Sequence, residues 1–241
     1  LLTHPLSSSR ISDAFNAAEG ISEEGKKSDS LEFGLMKTRL EVYYEKIPAN
    51  ALRSFQAKVN DNPSDANIYG LALAHEKNSN FDKSLSLLNN LIEKYPKNLV
   101  INTTKVDVLL SNDEFNKALK LVDRFLEISP KNYPLSISKS KVLLAMERYF
   151  ESEEIIRDQL LRRNDDPELW LLLSEIQRSS QNIIGYHQSR AEYFLLLGQD
   201  EQALNQLEFA LQLTQNNFQV SESIMNKIVE IKKDLSNSRG L

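Results

Sequence analysis

Apolar residues recur at three- and four-residue intervals along most of the chain, and the pattern itself recurs. Phe81, Phe115 and Tyr149 stand 34 residues apart, as do Leu85 and Leu119, and Leu87, Leu121 and Ile155. Small residues Ser84, Ala118 and Ser152 form a parallel column, and Pro96 and Pro130 are each followed by Lys-Asn. Each period therefore predicts two antiparallel amphipathic helices, with small residues where their backbones approach. Turn and capping residues sit where such a hairpin needs them, at Asn78-Ser79-Asn80 and Ser111-Asn112-Asp113; proline then stops the second helix.

The array extends both ways. Upstream, Leu31–Glu45 reads as a first helix, followed by Ala51, Phe55 and Pro63 one residue out of register. Downstream, Gly198-Gln199-Asp200 leads into Ala203, Leu207 and Ala210, in a register 17 rather than 34 residues after the unit containing Trp170. The helix around Gln181–Leu197 is thus expected to close one unit and open the next. Val220–Leu235, with Ile224, Ile228 and Ile231 at helical spacing, reads as a capping helix. Before Leu31 the chain changes character: Gly20–Ser30 is apolar-poor and reads as a linker, preceded by a short helix at Ser12–Ala18.

The period resembles the tetratricopeptide repeat (TPR), which has Trp at position 4, small residues at 8 and 20, an aromatic at 24 and Pro at 32. This chain supplies Trp170 at 4, Leu173 at 7, Ala72 at 8, Ala118 at 20, and Pro96 and Pro130 at 32. The resemblance implies an all-α, right-handed solenoid of about five helix-turn-helix units plus a C-terminal capping helix over residues 31–241, with residues 1–30 lying outside it.

Composition narrows the function. Asp+Glu number 34 against Lys+Arg 29, a net charge of −5, which argues against a nucleic-acid or anionic-membrane partner. There is no cysteine, hence no disulfide or thiolate metal site. The longest apolar run, Leu169–Leu173, falls far short of the roughly 20 residues of a membrane span. His75 takes position 11 and the residue four later is Ser79, so no zinc-protease helix is present. His75 and His187 both read as packing residues. No glycine-rich phosphate loop, nucleophile elbow or paired-carboxylate cleft occurs, and Glu151-Ser152-Glu153-Glu154 reads as a solvated helix face. The chain by itself is expected to be non-catalytic.

Thr3-His4-Pro5 followed by Arg10-Ile11-Ser12-Asp13-Ala14 resembles the segment that closes the catalytic domain of HtpX-like zinc metallopeptidases. In the beta-barrel assembly-enhancing (BepA) type of that family a TPR domain follows. The far end is similar too, in Arg190-Ala191-Glu192, Leu197-Gly198 and Asp200-Glu201-Gln202-Ala203. The resemblance implies a periplasmic protease whose His-Glu-x-x-His helix and zinc lie upstream, with no cofactor in this piece. Such a reading suits a chain that starts at Leu1-Leu2-Thr3, without initiator Met or signal peptide. It makes His4 a regulatory zinc ligand that holds the site closed in the presence of the catalytic domain, and Arg10 the motif arginine. Ser7-Ser8-Ser9 departs from the more charged spacer of the family. Implied partners are polypeptide substrates, the outer-membrane β-barrel assembly machinery, the lipopolysaccharide-transport barrel and the chain's own catalytic domain.

In a TPR solenoid the concave face is lined by positions 2, 5, 9, 12 and 13 of each first helix. Here these give Tyr69, Leu73, Glu76 and Lys77, then Thr103, Asp107 and Leu110, then Ile137, Lys141 and Leu144, then Leu171, Glu175 and Arg178. The Lys/Asn/Arg clamp by which chaperone-binding TPRs hold a carboxylate is missing, since Tyr69, Leu73, Thr103 and Asp107 occupy its places. A mixed apolar and polar groove suits extended or partly folded polypeptide, although some of these side chains are expected to pack against the N-terminal helices or an upstream domain. The rival reading is a stand-alone TPR adaptor in envelope, pilus or secretion assembly, without any protease.

Overall fold

The structure, a computed structural model, describes residues 30–214 and 217–239, with side chains described as far as residue 236. Among the described residues there are twelve helices and no strand. They are α1 Leu31–Tyr44, α2 Pro48–Asp61, α3 Asp65–Lys77, α4 Phe81–Lys94, α5 Leu99–Ser111, α6 Phe115–Ile128, α7 Tyr133–Ala145, α8 Tyr149–Leu160, α9 Pro167–Ser179, α10 Ile183–Leu196, α11 Asp200–Leu213 and α12 Phe218–Arg239. The His-Pro segment, the short helix at Ser12–Ala18 and all of the Gly20–Ser30 linker but Ser30 lie outside the described residues.

Two chemical devices repeat with the sequence period. The first starts each leading helix. Ser30, Ser64, Asn98, Asn132 and Asp166, each 34 residues from the next, are the N-caps of α1, α3, α5, α7 and α9, and each side-chain oxygen accepts a backbone N–H of the first turn. The second ends them. Ser79, Asp113, Glu147 and Gln181 have φ between 57° and 63°, and Gly198 follows 17 residues later at 68°. At each of these turns the helix closes in the same way: Asn80 N–H donates to His75 C=O and Ser79 N–H to Glu76 C=O, a pair of bonds repeated at Glu114/Asp113, Arg148/Glu147, Asn182/Gln181 and Gln199/Gly198. That is the Schellman closure, which needs one left-handed residue. Its half-period step at Gly198 is the structural form of the 17-residue register, with α10 packed on both α9 and α11.

The column of small residues lies at the helix crossings. Ala51, Ser84, Ala118, Ser152 and Ala203 are all buried. Ser152 donates to Ser140 C=O at 2.8 Å, and the two hydroxyl oxygens are also 2.8 Å apart, tying α7 to α8. Gly70 makes the tightest approach: a Cβ there would fall 2.3 Å from Phe55 Cε1 and from Thr38 Cγ2. The core is divided into four successive clusters, each shared by neighbouring units, as expected of a stack in which a repeat touches only its neighbours. The last joins Ala191 of α10, Ala203 and Leu207 of α11 and Ile224, Ile228 and Ile231 of α12, so α12 does cap the stack.

The first unit departs from this scheme. No left-handed residue ends α1; Glu45 is extended (φ −69°, ψ 113°), and α1 has 14 residues against 13 in each later leading helix.

Candidate interaction groove

The leading helices α1, α3, α5, α7 and α9 present one side chain each in a column of period 34: Arg39, Leu73, Asp107, Lys141 and Glu175. Arg39 Nη2 reaches over the intervening unit to Asp107 Oδ2 at 3.3 Å. Leu73, between them in the column, is buried. Glu76, one turn further along α3, faces the same space, with the Ser111 hydroxyl beside it. Its carboxyl is pushed up to about 7, first by burial and then by the nearby Asp107 charge, with Arg39 and Ser111 opposing. Burial also raises the Asp107 pKa, against the pull of Arg39 and Lys141. A third of the Asp107 side chain nonetheless remains open to solvent. Arg39, Glu76 and Ser111 border a cavity of about 510 Å³ whose apolar walls include Val42, Leu73 and Phe81.

The predicted lining residues divide into three groups. Tyr69 is fully buried, its hydroxyl 2.7 Å from Thr104 Oγ1, and Thr103 is buried with its hydroxyl donating to Leu99 C=O at 2.8 Å. Both are packing residues; at Tyr69 the groove floor is covered by α1, which lies across α3. Lys77 is also committed to structure. Its Nζ donates to Val42 C=O at 2.7 Å, Tyr43 C=O at 3.2 Å and Glu45 C=O at 2.6 Å. It supplies to the end of α1 the donors that the missing Schellman turn does not. Glu76 and Asp107 form the charged groove with Arg39, and Leu110, Ile137, Leu144 and Leu171 are half-buried along the same face. Lys141, Glu175 and Arg178 are exposed. Arg39 itself went unpredicted, although continuing the 34-residue column back from Leu73 would have reached it. A larger cavity of about 700 Å³ lies elsewhere, between α5 and α6, and contains none of the predicted residues.

The two histidines pack as expected. His75 is buried, and burial lowers its pKa. His187 Nδ1 lies 2.8 Å from Gln206 Oε1, with its ring against Phe209. Among the described residues no three His, Asp or Glu side chains converge to hold a metal, so these residues offer zinc no site. His4 and Arg10 lie outside them.

A tetratricopeptide-repeat family model matches residues 109–176. A solved tetratricopeptide repeat protein from Parabacteroides merdae is similar to the chain at 15% identity and a TM-score of 0.50, over 82% of each chain. The fold is a TPR solenoid. A double mutant of MamA from Desulfovibrio magneticus RS-1 is similar at 11% identity and a TM-score of 0.50, over 72% of this chain and 97% of that one. No curated protein matches the sequence. Within the TPR frame the charged groove belongs to the first three units, and the exposed Lys141, Glu175 and Arg178 belong to the next two. Among the described residues no helix is long and apolar enough to cross a membrane.

Proposed function

We propose that the leading-helix groove receives an extended polypeptide and that the chain is a recruiting arm. The observation that carries this is the half-buried cluster of Arg39, Glu76 and Asp107 beside an apolar-walled cavity. Extended peptide needs apolar contact for alternate side chains and paired donors and acceptors for its backbone. Near neutrality the Glu76 carboxyl spends comparable time in each protonation state, so it both donates and accepts.

In the finer reading the arm belongs to a periplasmic zinc metalloprotease and holds stalled outer-membrane β-barrel proteins beside it. That reading is supported by the resemblance of Thr3-His4-Pro5 with Arg10, and of Arg190-Ala191-Glu192 with Asp200–Ala203. The arm's contribution is positional: a client held on the groove is presented at high effective concentration. Zinc in the upstream domain would supply activated water for hydrolysis, and His4 would occupy a zinc position to keep it closed.

The test uses labelled peptides of about ten residues with the alternating apolar and polar side chains of transmembrane β-strands. Anisotropy titration should show binding that Arg39→Glu or Lys141→Glu weakens about tenfold, roughly 1.4 kcal/mol, while Lys120→Glu on the α6 face leaves it unchanged. Equal affinity in all three variants, each verified as helical, would refute the groove. Binding that does not speed client cleavage in the intact protein would leave the stand-alone adaptor.

A further inference from the structure

Helix α1 has two contrasting faces. Leu35, Thr38 and Val42 are buried against the neighbouring helices. On another side Phe33, Met36, Leu40 and Tyr43, continued by Ile47 in the turn, follow one another at intervals of three and four residues. Their exposures are 54, 47, 53, 74 and 55%. Single exposed apolar residues are common on any surface. A continuous stripe at the 3.5-residue repeat is the seam of a helix–helix contact, and it sits on the terminal helix of a solenoid, where the outer face is ordinarily polar.

We propose that this stripe is the docking site for the predicted helix at Ser12–Ala18 of the same chain, which lies outside the described residues. Ala14, Phe15 and Ala18 of that helix, with Ile11 just before it, fall at i+3, i+4, i+7 and i, one apolar face at helical spacing. Ala14 and Ala18 permit close approach, and Phe15 brings a large ring. The intervening Glu19–Ser30 spans up to roughly 40 Å when extended, whereas the 14 residues of α1 measure about 21 Å. The short helix therefore reaches any point on the stripe, at a modest loop-closure cost. A second copy of the chain is a poorer occupant. Lys37 and Lys46 flank the stripe, and pairing α1 with its own copy about a two-fold axis gathers these like charges along the seam, which opposes association. Tyr43 belongs both to the stripe and to the wall of the 510 Å³ cavity. Docking would thus bring the N-terminal segment to the rim of the groove.

The absence of cysteine makes the test direct. Ala14→Cys is combined in the full chain with Met36→Cys, Leu40→Cys or Tyr43→Cys, and, as a control, with exposed Ile128→Cys. Mild oxidation at micromolar protein is read by non-reducing gel and intact mass. The proposal expects an intrachain disulfide in at least one stripe pair at five or more times the control yield. Adding Ile11→Asp and Phe15→Asp should reduce that yield to the control level and increase binding of a hydrophobic dye. Stripe and control pairs that cross-link equally would overturn the proposal, as would predominantly interchain disulfides, which would assign the stripe to a second copy.

Discussion

The column Arg39, Leu73, Asp107, Lys141, Glu175 occupies one place in five successive units, yet its two halves differ. In the first three units α1 lies across α3, Arg39 bridges to Asp107, and burial pushes the Glu76 carboxyl up to about 7. In the next two units Lys141 and Glu175 stand exposed, joined by Arg178. Repeat position fixes where a side chain projects; the neighbours that flank it decide whether it meets water. The difference comes from α1, a terminal helix whose end is held by Lys77 rather than by a left-handed residue. The same sequence period therefore builds a half-buried charged groove at one end and a solvent-exposed ionic one at the other.

Removing the close packing of α1 should break this contrast most severely. Gly70→Ala places a methyl group against the Phe55 ring and Thr38, which cannot both withdraw, and is expected to cost about 3 kcal/mol, read from the urea midpoint. Lys77→Ala leaves three carbonyls at the end of α1 without their donor and should cost about 1.5 kcal/mol. It should also raise hydrogen exchange in residues 41–50 well above that in the unaltered α5–α6 turn. The left-handed turns give smaller effects of opposite sign. Gly198→Ala should cost about 1 kcal/mol, because nothing stands within 4 Å of the added methyl and only the backbone conformation is penalised. Gln181→Gly should stabilise by a similar or smaller amount. Thermal midpoints of the two variants on either side of the parent would confirm the sign change.

The gentlest expected effect is on the pH dependence of stability. The Glu76 value of about 7 lies above its ordinary 4.5, so the folded state holds this proton more tightly than the unfolded chain. The associated stabilisation is complete below pH 4.5 and disappears as pH rises through about 7; Asp107 shifts in the same direction. In Glu76→Gln the fall in the urea midpoint between pH 4.5 and 7 should be shallower than in the parent. An unchanged slope would remove Glu76 from the account.

Much of the architecture was legible as periodicity. The columns of Phe81, Phe115 and Tyr149 and of Ser84, Ala118 and Ser152 located helices and crossings, because helix packing demands the same residue size at each repeat. The expected helix Leu31–Glu45 ends one residue earlier, at Tyr44, and Val220–Leu235 is longer at both ends. The N-cap series Ser30, Ser64, Asn98, Asn132, Asp166 was present in the sequence but only its Lys-Asn members stood out, since serine, asparagine and aspartate cap interchangeably and dilute the column. Tyr69, Thr103 and Lys77 were assigned to the groove by repeat position alone. The roles of Tyr69 and Lys77 follow from the placement of α1, a tertiary fact that no local pattern encodes, while the Thr103 hydroxyl is held by its own helix at Leu99 C=O. Arg39 was missed for the complementary reason: its helix was recognised, but its column was not carried back to it. The roles implied for His4 and Arg10 concern residues outside the described structure.

The contrast between closed and open halves is tested most directly by a carbon-detected NMR titration of the Glu76 side-chain carboxyl in the intact chain. A midpoint near 7, moving further upward in Arg39→Met as the opposing positive charge is lost, is the result this account expects. A midpoint at the ordinary 4.5, unmoved by Arg39→Met, would contradict it, because Glu76 would then be as well solvated as any surface carboxylate and α1 would not close the groove.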